Sequence, residues 1–126
     1  MLLTGLLLRN LKKNHGSIIN ISSVTAELHN PHGCAYGATK AGLSSFADSL
    51  FEEARKYGVR VTTILPDMTK TDLYRNADFE QGQERESYLE PEQVAEAVAF
   101  SLEQEAVVSK LMLRPQLHRI KRKERI

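Results

Sequence analysis

Three short runs rich in β-branched and aliphatic residues, "SIINIS" (Ser17 to Ser22), "VRVTTIL" (Val59 to Leu65) and "AVVSKLMLR" (Ala106 to Arg114), constrain this chain most. Runs of this kind read as strands with little solvent exposure. Residues 23–58 and 66–105 separate them, far more than a hairpin turn needs. Antiparallel neighbours can be joined by two residues, whereas parallel strands need a crossover of a dozen or more, usually helical. The intervening stretches carry helical periodicity. The order helix, strand, helix, strand, helix, strand therefore predicts a parallel sheet in an α/β layered fold. Its crossovers are expected to be right-handed.

The first helix is leucine-rich, Leu2 to Lys13, and stops at "NHG", where Gly16 supplies the conformational break. In the second, Tyr36 to Tyr57, the apolar residues Leu43, Phe46, Ala47, Leu50, Ala54 and Tyr57 recur at steps of three and four. Gly58 is its natural stop. The third begins at Pro91, with Val94, Ala97, Val98 and Leu102 on one face. Val24 to Cys34 reads as a loop, and the polar stretch Asp67 to Glu90 predicts a mobile segment. No repeat or linker divides the chain, which has room for one small domain. With 41% hydrophobic and 26% charged residues it can build a globular core.

Charge and cysteine usage exclude several classes of partner. A formal net charge of +1 gives no global drive toward nucleic acid or an anionic membrane. In "MLLTGLLLRNLKK" the basic residues follow the apolar run, the wrong order for a signal peptide, and the run is too short to span a bilayer. Cys34 is the single cysteine and has no internal disulfide partner, which fits a reducing cytosol. A cytoplasmic protein without membrane or nucleic-acid partners is expected. His29, His32 and Cys34 fall close together but lack a fourth ligand at zinc spacing, so no metal site is expected. Cys34 reads as a small packed side chain. The basic tail after Arg114 has no aromatic interleaving and reads as a solvated terminal segment.

Chemistry concentrates in "GSIINISSVTAELHNPHGCAYGATKAGL", Gly16 to Leu43. Tyr36 and Lys40 are four apart at the start of a helix, so they share a face. A phenol with a pKa of about 10 is a poor acid or base at neutral pH. A nearby ammonium favours the phenolate, bringing it toward what proton delivery to a carbonyl oxygen requires. Ser23 lies just past the end of "SIINIS", where open parallel sheets place their ligands, and its hydroxyl is suited to hold that oxygen. Tyr-x-x-x-Lys alone is a weak motif; the strand, the Ser-Ser pair and the loop before Tyr36 make it specific.

These residues strongly resemble the classical short-chain dehydrogenase/reductases, whose latter half the whole chain is similar to. The resemblance implies a partial Rossmann-like, doubly wound parallel sheet over residues 1–126, without the N-terminal glycine-rich half. It implies that Ser23 orients the substrate carbonyl and that Tyr36 is the general acid/base. Lys40 would favour the Tyr36 phenolate and bond the nicotinamide ribose. Ser22 stands one residue too far from Tyr36 to be the catalytic serine. "LPDMTKTDL" resembles the segment bordering the nicotinamide, which implies cofactor contacts from Pro66, Thr69 and Thr71. NAD or NADP, a small carbonyl or alcohol substrate, and a homo-oligomer through the Leu2–Lys13 and Tyr36–Tyr57 helices follow from the same resemblance.

Three departures qualify it. Asp67 stands where the family has glycine, at a place of close backbone approach. Leu2 falls at the position of the family's catalytic asparagine and cannot hydrogen-bond a relay water. No glycine-rich pyrophosphate turn is present. The 126 residues alone are therefore expected to be inactive or feebly active. The competing expectation is a truncated, non-catalytic paralogue that docks through its helices on a full-length reductase.

Overall fold

The computed structural model describes residues 2–28, 33–70, 79–81, 85–117 and 120–122. The predicted alternation is present: α1 (Leu2–Asn14), β1 (Ser17–Ile21), α2 (Cys34–Ala54), β2 (Arg60–Pro66), α3 (Pro91–Glu103) and β4 (Lys110–Leu113) follow in order. β3 (Phe79–Gln81) and β5 (Ile120–Arg122) are additional short strands. The main sheet runs β1-β2-β4, parallel throughout, with Ile64 opposite both Ile21 and Leu111. The fold class is α/β, as the strand and helix periods require.

β2 is central, and its residues from Val61 to Leu65 are all buried. On one face Val59 and Val61 pack with Ala47, Leu50 and Ala54 of α2, flanked by Leu8 and Leu11 of α1 and by Phe46 and Phe51. Strand alternation turns Thr62 and Ile64 to the opposite face, and α3 also lies against β2. The α2 stripe is thus correct in its middle but not at its end, since Tyr57 is exposed. In α3 the buried pair is Ala97 and Ser101, while Leu102 is exposed. Ser101 tolerates burial because its hydroxyl donates to the Ala97 carbonyl at 2.9 Å.

Chain reversals between these elements are made by specific residues. The left-handed residue ending α1 is His15, with φ of 54°, and not Gly16. The Gly16 N–H donates to the Leu11 carbonyl at 2.9 Å, a helix-terminating bond. A Cβ at Gly16 would lie 2.5 Å from Leu11 Cδ2, so any larger residue there would make the Leu11 side chain shift. Gly58, after the 3-10 turn Arg55–Tyr57, adopts φ of 77°, which only glycine takes at little cost. α3 starts with Pro91 and a reciprocal capping box between Glu90 and Gln93. The turn that follows α3 is held from β2: the Arg60 guanidinium donates to the carbonyls of Gln104, Glu105 and Ala106 at 2.8–3.0 Å. Lys110 of β4 reaches Glu27 at 2.6 Å and Asp48 of α2 at 3.5 Å; the bond from Glu27 holds its ammonium above the usual lysine range.

The stretch from Asp67 to Glu90, expected to be mobile, is ordered at both its ends. Lys70 N–H donates to the Leu89 carbonyl at 2.8 Å and Leu89 N–H to the Met68 carbonyl at 2.7 Å. Met68 and Leu89 are buried, so two apolar residues at the ends of a polar stretch hold it against the core. Residues 71–78 and 82–84 lie outside the described residues. The basic tail is not wholly a solvated segment either, because Ile120–Arg122 pair antiparallel with Phe79–Gln81.

Candidate functional site

The C-terminal ends of β1 and β2 and the first turns of α2 enclose a cavity of about 350 Å³. Its lining includes Ser23, Tyr36, Lys40, Pro66 and Thr69, five of the six residues singled out in the sequence. Thr71, the sixth, lies outside the described residues. Among the described residues, Ser22, Ile21, Asp67, Pro91 and Val94 also line it.

Each polar side chain is held by local bonds. Ser23 caps a 3-10 turn over Val24–Ala26: its Oγ accepts from Thr25 N–H at 3.2 Å and from Thr25 Oγ1 at 3.0 Å. With its acceptor capacity engaged, the Ser23 hydroxyl retains a proton to donate into the cavity. Ser22, one residue earlier, is buried and donates from Oγ to the Lys40 carbonyl at 3.3 Å, which ties the end of β1 to α2. The adjacent serines therefore divide their work, one toward the cavity and one toward the helix.

Tyr36 is 41% exposed, so its ring is open to a ligand. Lys40, half-buried, sits one turn on with Nζ 5.6 Å from the Tyr36 ring centroid. Among the described residues no carboxylate lies within ion-pair reach of Lys40. Its charge is thus available to the cavity. Thr69 is held by donation from Oγ1 to the Asp67 carbonyl at 2.9 Å.

Asp67, expected to hinder close backbone approach, lines the cavity with both carboxylate oxygens bonded. Its Oδ1 accepts Met68 N–H at 2.8 Å and its Oδ2 accepts from Arg114 Nε at 3.2 Å. Sequence reasoning missed this Arg114 contact, because Arg114 ends the predicted strand Ala106–Arg114 and no local pattern announces a partner 47 positions away. Leu2, at the family's asparagine position, is 80% exposed at the start of α1. Cys34 is exposed at the first position of α2 rather than packed, because that first turn projects beyond the core. His29 and His32 lie outside the described residues.

A parallel α/β sheet with its cavity at the carboxyl ends of the strands is a Rossmann-type arrangement. A family model described as short chain dehydrogenase matches residues 1–82. The chain belongs to the short chain dehydrogenase family. It is 36% identical to an uncharacterized oxidoreductase of Staphylococcus epidermidis over 99 residues, covering 79% of this chain and 41% of that protein. It is 34% identical to carbonyl reductase family member 4 of Danio rerio, covering 83% of this chain and 46% of that one. Among solved structures, an alcohol dehydrogenase from Thermococcus sibiricus, complexed with 5-hydroxy-NADP, superposes with a TM-score of 0.78 at 26% identity. That superposition covers 97% of this chain and 50% of the enzyme. The chain thus spans half or less of the length of these relatives. Among the described residues no helix is long and apolar enough to cross a membrane.

Proposed function

We propose that these residues form the substrate-facing, latter portion of a single nucleotide-binding domain, and that the domain interconverts a carbonyl and an alcohol with NAD or NADP. The observation that carries this reading is the convergence of Ser23, Tyr36 and Lys40 on one cavity with Pro66 and Thr69. The Thermococcus enzyme, complexed with an NADP derivative, lends it support. The cavity suits the nicotinamide and ribose end of such a cofactor: an open tyrosine, an ammonium with no carboxylate partner among the described residues and a threonine side chain face one space. Tyr36, Lys40, Pro66, Thr69 and Thr71 would hold it there. What a nicotinamide supplies when bound is hydride exchange with the carbonyl carbon. Ser23 donates a hydrogen bond from its hydroxyl to the carbonyl oxygen, keeping its proton, and fixes that oxygen's direction. Tyr36 gives its phenolic proton to the same oxygen as negative charge develops there. Lys40 stabilises the phenolate left behind and bonds the ribose.

The test is consumption of NADH or NADPH in the presence of a ketone panel. Ser23→Ala is expected to lower kcat by about 10²-fold, the usual cost of one lost donor to a developing oxyanion. Ser23→Thr, which keeps the hydroxyl, should retain most of the rate. Equal losses in the two variants would overturn the role given to Ser23.

A second reading concerns subunit contact. Leu2, Leu3 and Leu6 of α1 are 66–80% exposed, an apolar face that α2 and the sheet leave uncovered. We read α1 and α2 as a homo-oligomer interface, as in the family the sequence resembles. Leu6→Glu is expected to lower the mass measured by light scattering to that of one chain; an unchanged mass would remove α1 from the interface. A docking role on a full-length reductase would instead leave the native chain monomeric.

A further inference from the structure

The turn that carries Tyr36 and Lys40 stands clear of the core that fixes the rest of α2. The first buried residue of that helix is Ser44, so residues 34–43 have no buried side chain to hold them against the sheet. Among the described residues, one hydrogen bond joins this stretch to the end of β1: Ser22 Oγ donates to the Lys40 carbonyl at 3.3 Å. Ser22 can serve as an anchor because it is itself fixed. It is 5% exposed, and its N–H donates to the Ile64 carbonyl of β2 at 2.8 Å. Ser44 shows that this bond was not the only one available by spacing. A helical serine hydroxyl can donate to the carbonyl four residues back, which for Ser44 is that of Lys40. Ser44 Oγ is instead buried without a partner, and the Lys40 carbonyl receives Ser22.

We infer that Ser22 is a positioning residue: it sets the turn bearing Tyr36 and Lys40 against Ser23, so that both hydroxyls meet one carbonyl oxygen. The inference rests on the proposed reading of the cavity as a carbonyl site. Ser22 is one peptide bond from Ser23 and lines the same cavity as Tyr36 and Lys40. The β1 side of the site is thereby joined to the α2 side through a peptide bond and one hydrogen bond. The Lys40 carbonyl has two lone pairs, one for the helical N–H of Ser44 and one for Ser22, so the tie does not break α2. Rate depends steeply on such spacing, since a displacement of about 1 Å can cost about 10²-fold. Ser22→Ala removes the tie and keeps the small side chain. The Ser44 hydroxyl cannot replace it, because a bond from Ser44 to Lys40 lies inside α2 and reaches no strand.

The experiment compares the native protein with Ser22→Ala, Ser22→Thr and Ser44→Ala. Each is measured by turnover of a ketone panel with NADH or NADPH, and by amide hydrogen exchange without ligand. Ser22→Ala is expected to lower kcat about tenfold with KM within about twofold, the pattern of displaced reacting groups around unchanged binding. Ser22→Thr keeps the hydroxyl and should retain at least about half of the native kcat. Ser44→Ala deletes a hydroxyl without a partner and should leave kcat within about twofold. A native kcat in Ser22→Ala, or a loss of the same size in Ser22→Thr or Ser44→Ala, overturns the inference. In the exchange measurement, amides of residues 38–44 should open about tenfold faster in Ser22→Ala, while those of residues 47–54 keep the native rates. Native rates at 38–44 overturn the inference. Faster exchange along all of α2 also overturns it, by giving Ser22 a general structural role. Because exchange is read without turnover, a native protein that reduces nothing, with exchange at 38–44 faster in Ser22→Ala, refutes the reductase reading alone.

Discussion

Tyr36→Phe is expected to reduce kcat for a ketone with NADH or NADPH by about 10³-fold, within the range that a positioned proton donor contributes. The substitution removes one oxygen and leaves the ring. Tyr36 is 41% exposed and accepts or donates no hydrogen bond to another described residue, so neither the core nor α2 depends on that hydroxyl. Circular dichroism and the unfolding midpoint should match those of the native protein. KM for substrate and cofactor should change little, because the ring still walls the cavity and the lost interaction is made in the transition state. The proper comparison is Lys40→Met, which removes the ammonium but keeps the phenol. It should lower kcat and also raise the cofactor KM, since the same charge is assigned to the ribose. A Tyr36→Phe protein retaining native kcat would remove Tyr36 from the proton transfer. A docking paralogue would keep its partner affinity in this variant, so a pull-down with the full-length reductase separates the two readings.

The elements and the cavity lining were legible in sequence for different physical reasons. Strands and helices declare themselves through period, and β2 could be read because every residue from Val61 to Leu65 is buried and aliphatic or threonine. The site could be read because its residues cluster within short segments: Ser23, Tyr36 and Lys40 flank one loop, and Pro66 ends β2 with Thr69 three residues beyond. What depended on contacts between distant segments was not legible. Arg60 holding the turn after α3, Lys110 reaching Glu27 and Asp48, and Arg114 aiming across to Asp67 join residues 44 to 83 positions apart. Each is an exposed or half-exposed charge whose partner no local pattern announces. Tyr57 and Leu102 were misread for a related reason. Both continue an apolar stripe by spacing, yet Tyr57 lies in the 3-10 turn after α2 has ended at Ala54, where the helical period no longer applies, and Leu102 stands in the last turn of α3, exposed beside the buried Ser101.

The largest stability loss is expected at Ile64. It is wholly buried in the middle strand, opposite Ile21 on one side and Leu111 on the other. Ile64→Ala leaves the backbone ladder intact but removes three carbons from a site that cannot collapse, because bonded strands flank it on both sides. Buried Ile→Ala changes cost about 2–5 kcal/mol, from lost transfer energy plus the cavity left behind. The upper half of that range is expected here. Met112→Ala, on the edge strand β4 at 39% exposure, should cost clearly less, since part of that side chain already faces water and its removal leaves no enclosed cavity. Urea unfolding of both variants beside the native protein measures the contrast directly, with equal m-values required for the comparison. The consequence reaches the site, because Pro66 and Asp67 are held at the cavity by the register of β2: Pro66 pairs with Leu113, and Asp67 N–H bonds the Leu113 carbonyl. Loosening Ile64 should therefore weaken binding of NADP, used as the probe, along with stability. A variant that loses stability but binds the probe as tightly as the native protein would mean that the cavity is positioned by α2 and the Ser22–Lys40 bond alone.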